Sequence, residues 1–480
     1  MSEALIAGGG RTAEVMRAIR GRIERRALTP GARLPSVRAM AQASGYSKST
    51  VVEAYDRLAA EGVIRSRPGS GFFVATPMAP LALAQIDPPL DEQIDPLWLL
   101  RQSLIVRPGV LTPGSGCLPD SWMASEALRK GMRQAIPATE IGCDDLSPPH
   151  GPESLRRLIV RRLLDQGVEA SPDQVVLTDS CTQAIDLVLR FLLCPGDTVI
   201  VDDPCYFNFL ALLRAHRVKV VGVPYTPAGP DTTAFEAALV EHRPRLYLTN
   251  TAVHNPTGAA LSAAVAHRVL TLAERHDLVV VEDDIFAEFE WQPSARLAAF
   301  DGLRRVIRVG GYSKVLSNAV RSGHIVARSD WAAAIADLRI ATGMTGSALI
   351  GEITHAALIE PAYRRAMERL RARLAKAMDH TIRRLEDLGL EPWIRPPAGP
   401  LLWCRLPDGL DATELARQAV GQGIVLAPGD AFSVSRSARS YLRFNVARMD
   451  DEPVWRFLTA ACAGGAPQSG AASSSRRQIR

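Results

Sequence analysis

Between residues 175 and 309 the chain alternates short, β-rich apolar runs with amphipathic stretches, and this alternation limits its fold more than any other feature. The runs are 175–178, 199–201, 219–223, 246–249, 279–282 and 306–309; helical spacing marks 154–166, 183–193 and 263–276. Strands that alternate with helices pair side by side through crossovers, which predicts a mostly parallel sheet covered by helices. In open sheets of this kind ligands sit beyond the carboxyl ends of the strands, so the residues just after each run are the ones to inspect.

Those residues are chemically pointed. After the first run comes Asp179-Ser180-Cys181-Thr182-Gln183, small and hydroxylic groups that open a helix. Free backbone N–H groups and the helix dipole make such a turn a phosphate site. Later runs lead into His254-Asn255-Pro256-Thr257-Gly258, into Glu282-Asp283-Asp284, and into Gly311-Tyr312-Ser313-Lys314. Among 56 Lys+Arg only five are lysines (48, 130, 219, 314 and 376), so a lysine set among small residues at a strand end stands out.

The first 75 residues have a different character. They hold 12 Lys+Arg against 6 Asp+Glu, a net +6 within a chain whose total is +5. A basic head on a near-neutral body suits an acidic partner for the head alone. Val15, Ile19 and Ile23 recur at helical spacing, and Thr29-Pro30-Gly31 stops that helix. Ser36 is an N-cap for a short second helix carrying Val37, Met40 and Ala41, and Ser47 for a third carrying Val51, Tyr55, Leu58 and Ala59. Two short strands, 63–66 and 72–74, flank the turn Arg67-Pro68-Gly69-Ser70-Gly71. Helix, helix-turn-helix and hairpin follow in the order of a winged helix-turn-helix.

The segment PGARLPSVRAMAQASGYSKSTVVEAYDRLAAEGVIRSRPGSGFFV closely resembles the DNA-binding domain of GntR-family regulators over its whole length. The resemblance implies an operator of double-stranded DNA, met by Arg33, Arg38, Ser47, Lys48, Ser49, Thr50 and the wing glycine Gly69. Residues 98–461, with the motifs named above, resemble the fold-type-I, pyridoxal-phosphate-dependent aminotransferases of class I/II, whose smaller C-terminal part is an α+β subdomain. Joined, the two modules resemble the MocR-type regulators. The resemblance makes Lys314 the lysine that binds pyridoxal phosphate covalently, and sets Asp283 against its pyridine nitrogen. It gives Asn255 the ring oxygen, Tyr206 the ring face, and Ser180, Cys181, Thr182, Ser313 and Arg321 the phosphate region. Arg443, in YLRFNVAR, would hold the carboxylate of an amino-acid effector by its planar fork. A homodimer is implied as well.

Three positions depart from that family's pattern. Ile285 and Phe286 stand where a tyrosine is usual, Gly311 where a Ser or Thr is usual, and Leu146 where a tyrosine is usual. Each loss removes a hydrogen bond to a charged group, worth ~1.5–3 kcal/mol where buried. Cofactor binding is expected to survive on Lys314, Arg321 and Asp283, and transamination to be slow or partial. The residues leave three readings: a regulator that senses pyridoxal phosphate or an amino acid, a working aminotransferase with a DNA-binding head, and a repressor with a relic domain.

The domains are expected at 1–76 and 98–462, with a proline-rich linker at 77–97 (Pro77, Pro80, Pro88, Pro89 and Pro96) and a disordered Gly/Ser/Ala-rich tail at 463–480. No apolar run approaches the ~18 residues of a membrane helix, and the start does not read as a signal peptide. The seven cysteines form no C-x-x-C pair, so neither a metal site nor a disulfide framework is expected, and the compartment is expected to be the cytoplasm.

Overall fold

The computed structural model describes residues 10–24, 28, 31–67, 70–74, 96–104, 109–138 and 147–464. The chain divides into two compact units, Met1–Pro88 and Pro89–Arg480. Of the expected linker, residues 77–95 lie outside the described residues, as do 465–480 of the tail.

In the first unit α1 (Arg11–Glu24), α2 (Val37–Ser44) and α3 (Lys48–Ala60) precede a hairpin of β1 (Ile64–Arg67) and β2 (Gly71–Val74). Local chemistry sets each boundary. Ser36 Oγ accepts the Ala39 N–H at 3.2 Å and Ser47 Oγ accepts the Thr50 N–H at 3.2 Å, capping α2 and α3. Gly45, at φ 72°, ends α2 and donates its N–H to the Ala41 carbonyl at 3.0 Å. Val15, Ile19, Val51, Tyr55, Leu58 and Ile64 close the core. The Tyr55 ring lies edge-on to Phe72 at 4.9 Å, and its hydroxyl donates to the Pro35 carbonyl at 2.8 Å. Residues 31–34 add a third rung to the hairpin through Leu34 N–H to Phe72 O at 2.8 Å and Val74 N–H to Ala32 O at 2.9 Å.

The second unit is built on an eight-stranded sheet. Its strands are β3 (Val175–Thr178), β4 (Thr198–Asp203), β5 (Lys219–Thr226), β6 (Gly229–Pro230), β7 (Leu246–Asn250), β8 (Val279–Asp283), β9 (Val306–Gly311) and β10 (Gly323–Val326), in the order β3-β10-β9-β8-β7-β4-β5-β6. The pairs β9–β8, β8–β7, β7–β4 and β4–β5 are parallel. β10 runs antiparallel between β9 and β3. The six apolar runs of the sequence become β3, β4, β5, β7, β8 and β9. β10 has no such signature, because Gly323 and His324 interrupt its four residues.

The strands read as continuous apolar runs because both faces are covered. Val175, Leu177, Ile200, Val280 and Val306 pack into one core; Val176, Val199, Val201, Val281 and Ile307 pack into the other. A smaller antiparallel sheet follows, in the order β11 (Glu391–Pro392), β12 (Leu401–Arg405), β14 (Tyr441–Asn445), β13 (Ala427–Pro428), with a helix at Glu452–Gly464. Mostly parallel large sheet and small C-terminal α+β part agree with the fold expected from the sequence. No helix among the described residues is long and apolar enough to cross a membrane.

Candidate functional site

In the first unit Arg33, Arg38, Ser47, Lys48 and Ser49 are exposed, and Thr50 is half-buried at the start of α3. Ser47 Oγ lies 2.8 Å from both Ser49 Oγ and Thr50 Oγ1, so the hydroxyls cluster where the first N–H groups of α3 lack helical partners. Arg33 extends beside Gly71, where an added Cβ would lie 3.7 Å from its guanidinium. Gly69 lies outside the described residues. Exposed cations, hydroxyls and a helix N-terminus are groups that contact phosphates and base edges.

In the second unit the ends of β3, β8 and β9 meet. Ser180 caps the helix Cys181–Leu192 by accepting the Gln183 N–H at 3.0 Å, and Cys181 and Thr182 form its first turn. β10 presses on this turn at Gly323. A Cβ there would collide with the Ser180 carbonyl carbon and lie 2.6 Å from the Cys181 nitrogen, so only glycine fits. Arg321, two residues earlier, is exposed.

The three consecutive acids at the end of β8 have different surroundings. Glu282 accepts the Leu297 N–H at 2.7 Å, the Ala298 N–H at 3.0 Å and the Thr251 hydroxyl at 2.7 Å. Asp284 accepts from Arg296 Nε at 2.8 Å and Arg308 Nε at 3.0 Å, and these guanidiniums outweigh its burial and hold its carboxyl below the usual range. Asp283, 2% exposed, makes no ion pair among the described residues. It accepts the Cys181 thiol at 3.2 Å and the Ile285 N–H at 3.1 Å, and burial pushes its pKa up to about 6. A buried carboxyl without a counter-ion suits a cationic ligand atom.

Across from it stands Arg443 on β14, 1% exposed. It donates to Asn255 Oδ1 at 2.8 Å and to the Gly114 carbonyl at 2.5 Å, while its Nε has no partner among the described residues. Burial lowers its pKa to about 10. Arginine offers donors only, so its bond fixes Asn255 with the carbonyl inward and leaves the amide NH₂ as the group for a ligand acceptor. Behind Asn255, Asp202 accepts from Tyr247 at 2.5 Å and Thr249 at 2.7 Å and lies 3.4 Å from His254, which stacks on Tyr225.

Lys314, half-buried, donates to the Gly116 carbonyl at 3.2 Å and to Cys117 Sγ at 3.3 Å. Burial opposes its charge, but Cys117 and Tyr206 outweigh burial and raise its pKa. Tyr206 opens the helix Phe207–Ala215, its phenol pushed up by burial and partly offset by Lys314. Ser313 is half-buried beside the lysine.

Two sequence-family models match the chain: "Bacterial regulatory proteins, gntR family" over residues 11–74, and "Aminotransferase class I and II" over residues 121–460. The HTH-type transcriptional regulator YjiR of Escherichia coli K12 is 30% identical over 442 residues, 89% of this chain and 92% of its own length. The chain belongs to the MocR-type regulators of the GntR family. A 2-aminoadipate transaminase of Thermus thermophilus is 28% identical over 361 residues, 73% of this chain and 89% of its own. The solved structure of LysN, the α-aminoadipate aminotransferase from Thermus thermophilus, complexed with N-(5'-phosphopyridoxyl)-L-leucine, superposes with a TM-score of 0.67 at 26% identity, over 76% of this chain and 94% of LysN.

Two of the three departures from the aminotransferase pattern have a place in this regulator. The Phe286 ring centre lies 5.9 Å from Lys314 Nζ, an apolar face where a hydroxyl is usual. At Gly311 a Cβ would lie 2.7 Å from the Ser322 carbonyl oxygen, so the chain entering β10 leaves no room for Ser or Thr. Leu146 lies outside the described residues. Cys117, Asn445 and Arg448 were missed from the sequence. Asn445 and Arg448 lie within the quoted Arg443 motif, but their partners are backbone carbonyls more than 300 residues away, which no local pattern reveals.

Proposed function

We propose that this regulator binds an operator of double-stranded DNA through the start of α3 and its wing, holds pyridoxal phosphate on Lys314, and reads an amino acid as effector. The observation that carries the reading is the convergence of amine and guanidinium on one residue: Lys314 donates to the Gly116 carbonyl, and the open side of Gly116 faces Arg443, 3.7 Å from an added Cβ. An amine-reactive cofactor and an amino-acid carboxylate would thus be held side by side.

The residues present fit the cofactor. The Gly323 cradle leaves the N–H groups of Cys181 and Thr182 for a phosphate, and the uncompensated Asp283 suits a pyridinium. Bound there, pyridoxal phosphate supplies an aldehyde for amines and an electron-withdrawing ring. Asp283 holds the ring nitrogen protonated, Asn255 donates to the ring oxygen, Tyr206 covers the ring, Ser313 and Arg321 border the phosphate, and Arg443 takes the carboxylate with its unpartnered Nε. The protein is proposed to work as a homodimer, so that two heads meet two half-sites and gain avidity.

A second reading, turnover as a transaminase, is favoured by the likeness to the Thermus enzyme, whereas Phe286 favours a sensor. One experiment separates them. The full chain loaded with pyridoxal phosphate selects duplexes from a random pool, and their affinity is measured with and without amino acids. A selected duplex whose affinity shifts with an amino acid, and stops shifting in Lys314→Ala, supports the regulator. No selected duplex overturns it, and sustained keto-acid release establishes the transaminase.

A further inference from the structure

The segment from Thr112 to Leu118 is fixed through its carbonyls. Pro113 O accepts the Asn445 N–H at 2.7 Å, and Gly114 O accepts from Arg443. Ser115 O and Cys117 O accept from Asn445 Nδ2 at 2.9 and 3.1 Å. Arg448 donates to Cys117 O at 2.7 Å and to Leu118 O at 3.0 Å. The Cys117 N–H reaches Ser115 Oγ at 3.2 Å. This network holds a partly exposed thiol 3.3 Å from the Lys314 amine. Cys117 has no part in the cofactor reading, and a rigid mount for a reactive group beside the functional lysine calls for a role of its own.

We propose that Cys117 and Lys314 form a peroxide-driven covalent lock: hydrogen peroxide oxidises the Cys117 sulfur, and the Lys314 nitrogen then bonds to it, closing the site to its cofactor. In the first step the Cys117 thiolate attacks one peroxide oxygen. The O–O bond breaks, sulfur is oxidised by two electrons, and the departing hydroxide takes a proton to become water, leaving Cys117 as a sulfenic acid. In the second step the Lys314 lone pair attacks sulfur. An S–N bond forms, the S–O bond breaks, and the amine proton leaves with hydroxide as a second water. Thiol, amine and peroxide thus give a sulfenamide and two waters, and the protein loses two hydrogens. A dithiol reverses the change, restoring thiol and amine as it becomes a disulfide.

The electrostatics of the pair favour both steps. The lysine charge lowers the Cys117 pKa, against burial, and so favours the thiolate that peroxide requires. Burial disfavours the lysine charge, and Cys117 is the first of the groups that offset it. Oxidation to a neutral sulfenic acid removes that support, which favours the neutral amine beside its electrophile. The carbonyl-bonded backbone keeps the sulfur in place while the lysine stem closes the gap.

The link rests on these side chains alone; its consequence rests on the cofactor reading above. The full-length protein, stripped of pyridoxal phosphate, is treated with hydrogen peroxide and mapped by mass spectrometry of its peptides. A cross-linked pair of peptides containing Cys117 and Lys314, lighter by two hydrogens, reversed by dithiothreitol and absent from Cys117→Ser, is the expected result. Lys314→Arg keeps a cation beside the thiol but offers no nucleophilic amine, and should give a dimedone-trapped sulfenic acid at Cys117. Oxidation of Cys117 in the unsubstituted chain without the cross-link, or oxidation confined to other cysteines, overturns the proposal. Pyridoxal phosphate uptake by the oxidised protein, followed by absorption, reads the consequence. Uptake lost on oxidation and regained with dithiothreitol supports the lock. A cross-linked protein that takes up the cofactor unchanged keeps the S–N bond but overturns both the lock and Lys314 as the cofactor's lysine.

Discussion

The two units specify their working surfaces in opposite ways. In the first, the residues proposed to meet DNA lie on one short, largely exposed stretch, 47–50, with Arg33 and Arg38 close by in sequence, and the Ser47 cap that starts α3 acts within three residues. In the second, the working residues are mostly buried and come from segments as distant as 114–117 and 443–448, joined by bonds that form only when the two sheets are in place. An exposed site costs little to keep charged, because water solvates it. A buried site must satisfy every donor or leave one for its ligand. The orphaned Arg443 Nε and the uncompensated Asp283 are such open groups, which the proposed ligands would fill.

The sharpest way to break this contrast is Arg443→Ala. It removes a buried donor to the carboxylate and strands Asn255 Oδ1 and Gly114 O, so amino-acid affinity should fall by roughly 2–4 kcal/mol, about 30- to 1,000-fold. Titrating the amino acid against the absorption of the bound cofactor measures it. A loss under threefold would mean that Arg443 serves the fold alone.

Asp283→Asn tests the second of these groups through pH. The folded carboxyl is raised from 3.8 to about 6 by burial, so its stabilising contribution is full below pH ~4 and is lost as pH rises through 6. Two units correspond to roughly 3 kcal/mol at ~1.36 kcal/mol per unit. In cofactor-free protein the variant should therefore gain roughly that much on the parent between about pH 4 and pH 7.5, by denaturant unfolding. Parallel pH profiles would show that Asp283 already has a counter-charge.

Effects in the head should be smaller. Ser47→Ala removes the cap of α3 and should cost about 1 kcal/mol in the unfolding of the first unit. A cost well above ~2 kcal/mol would show that Ser47 does more than cap α3 locally. Lys48→Ala should leave stability within ~0.5 kcal/mol and reduce the slope of log affinity against log salt by ~1, the signature of one phosphate contact. An unchanged slope would place Lys48 away from the DNA backbone.

What could be read from the sequence follows the same division. Caps at Ser36 and Ser47, the αL glycine after α2 and the six apolar runs are local features, so spacing and residue type sufficed to anticipate the helices and strands. The strand ends marked 179–183, 282–284 and 311–314, because such sheets hold ligands there, and the resemblance to aminotransferases singled out Asp283 and Lys314 within them.

Other features were decided by the tertiary structure alone. Nothing local distinguishes Asp283 from Glu282 and Asp284, since the difference lies in Arg296 and Arg308, which pair with Asp284, and in the backbone of 297–298, which donates to Glu282, while Asp283 makes no ion pair among the described residues. β10 is hidden by His324 and by Gly323, whose missing side chain matters only because the Ser180 turn lies against it. Cys117 reads as one thiol among seven until carbonyl bonds from β14 and its following turn set it beside Lys314. Sequence determined the elements, because capping and periodicity act over a few residues. Tertiary structure decided which side chains are chemically exceptional, because burial and charge compensation depend on neighbours far along the chain.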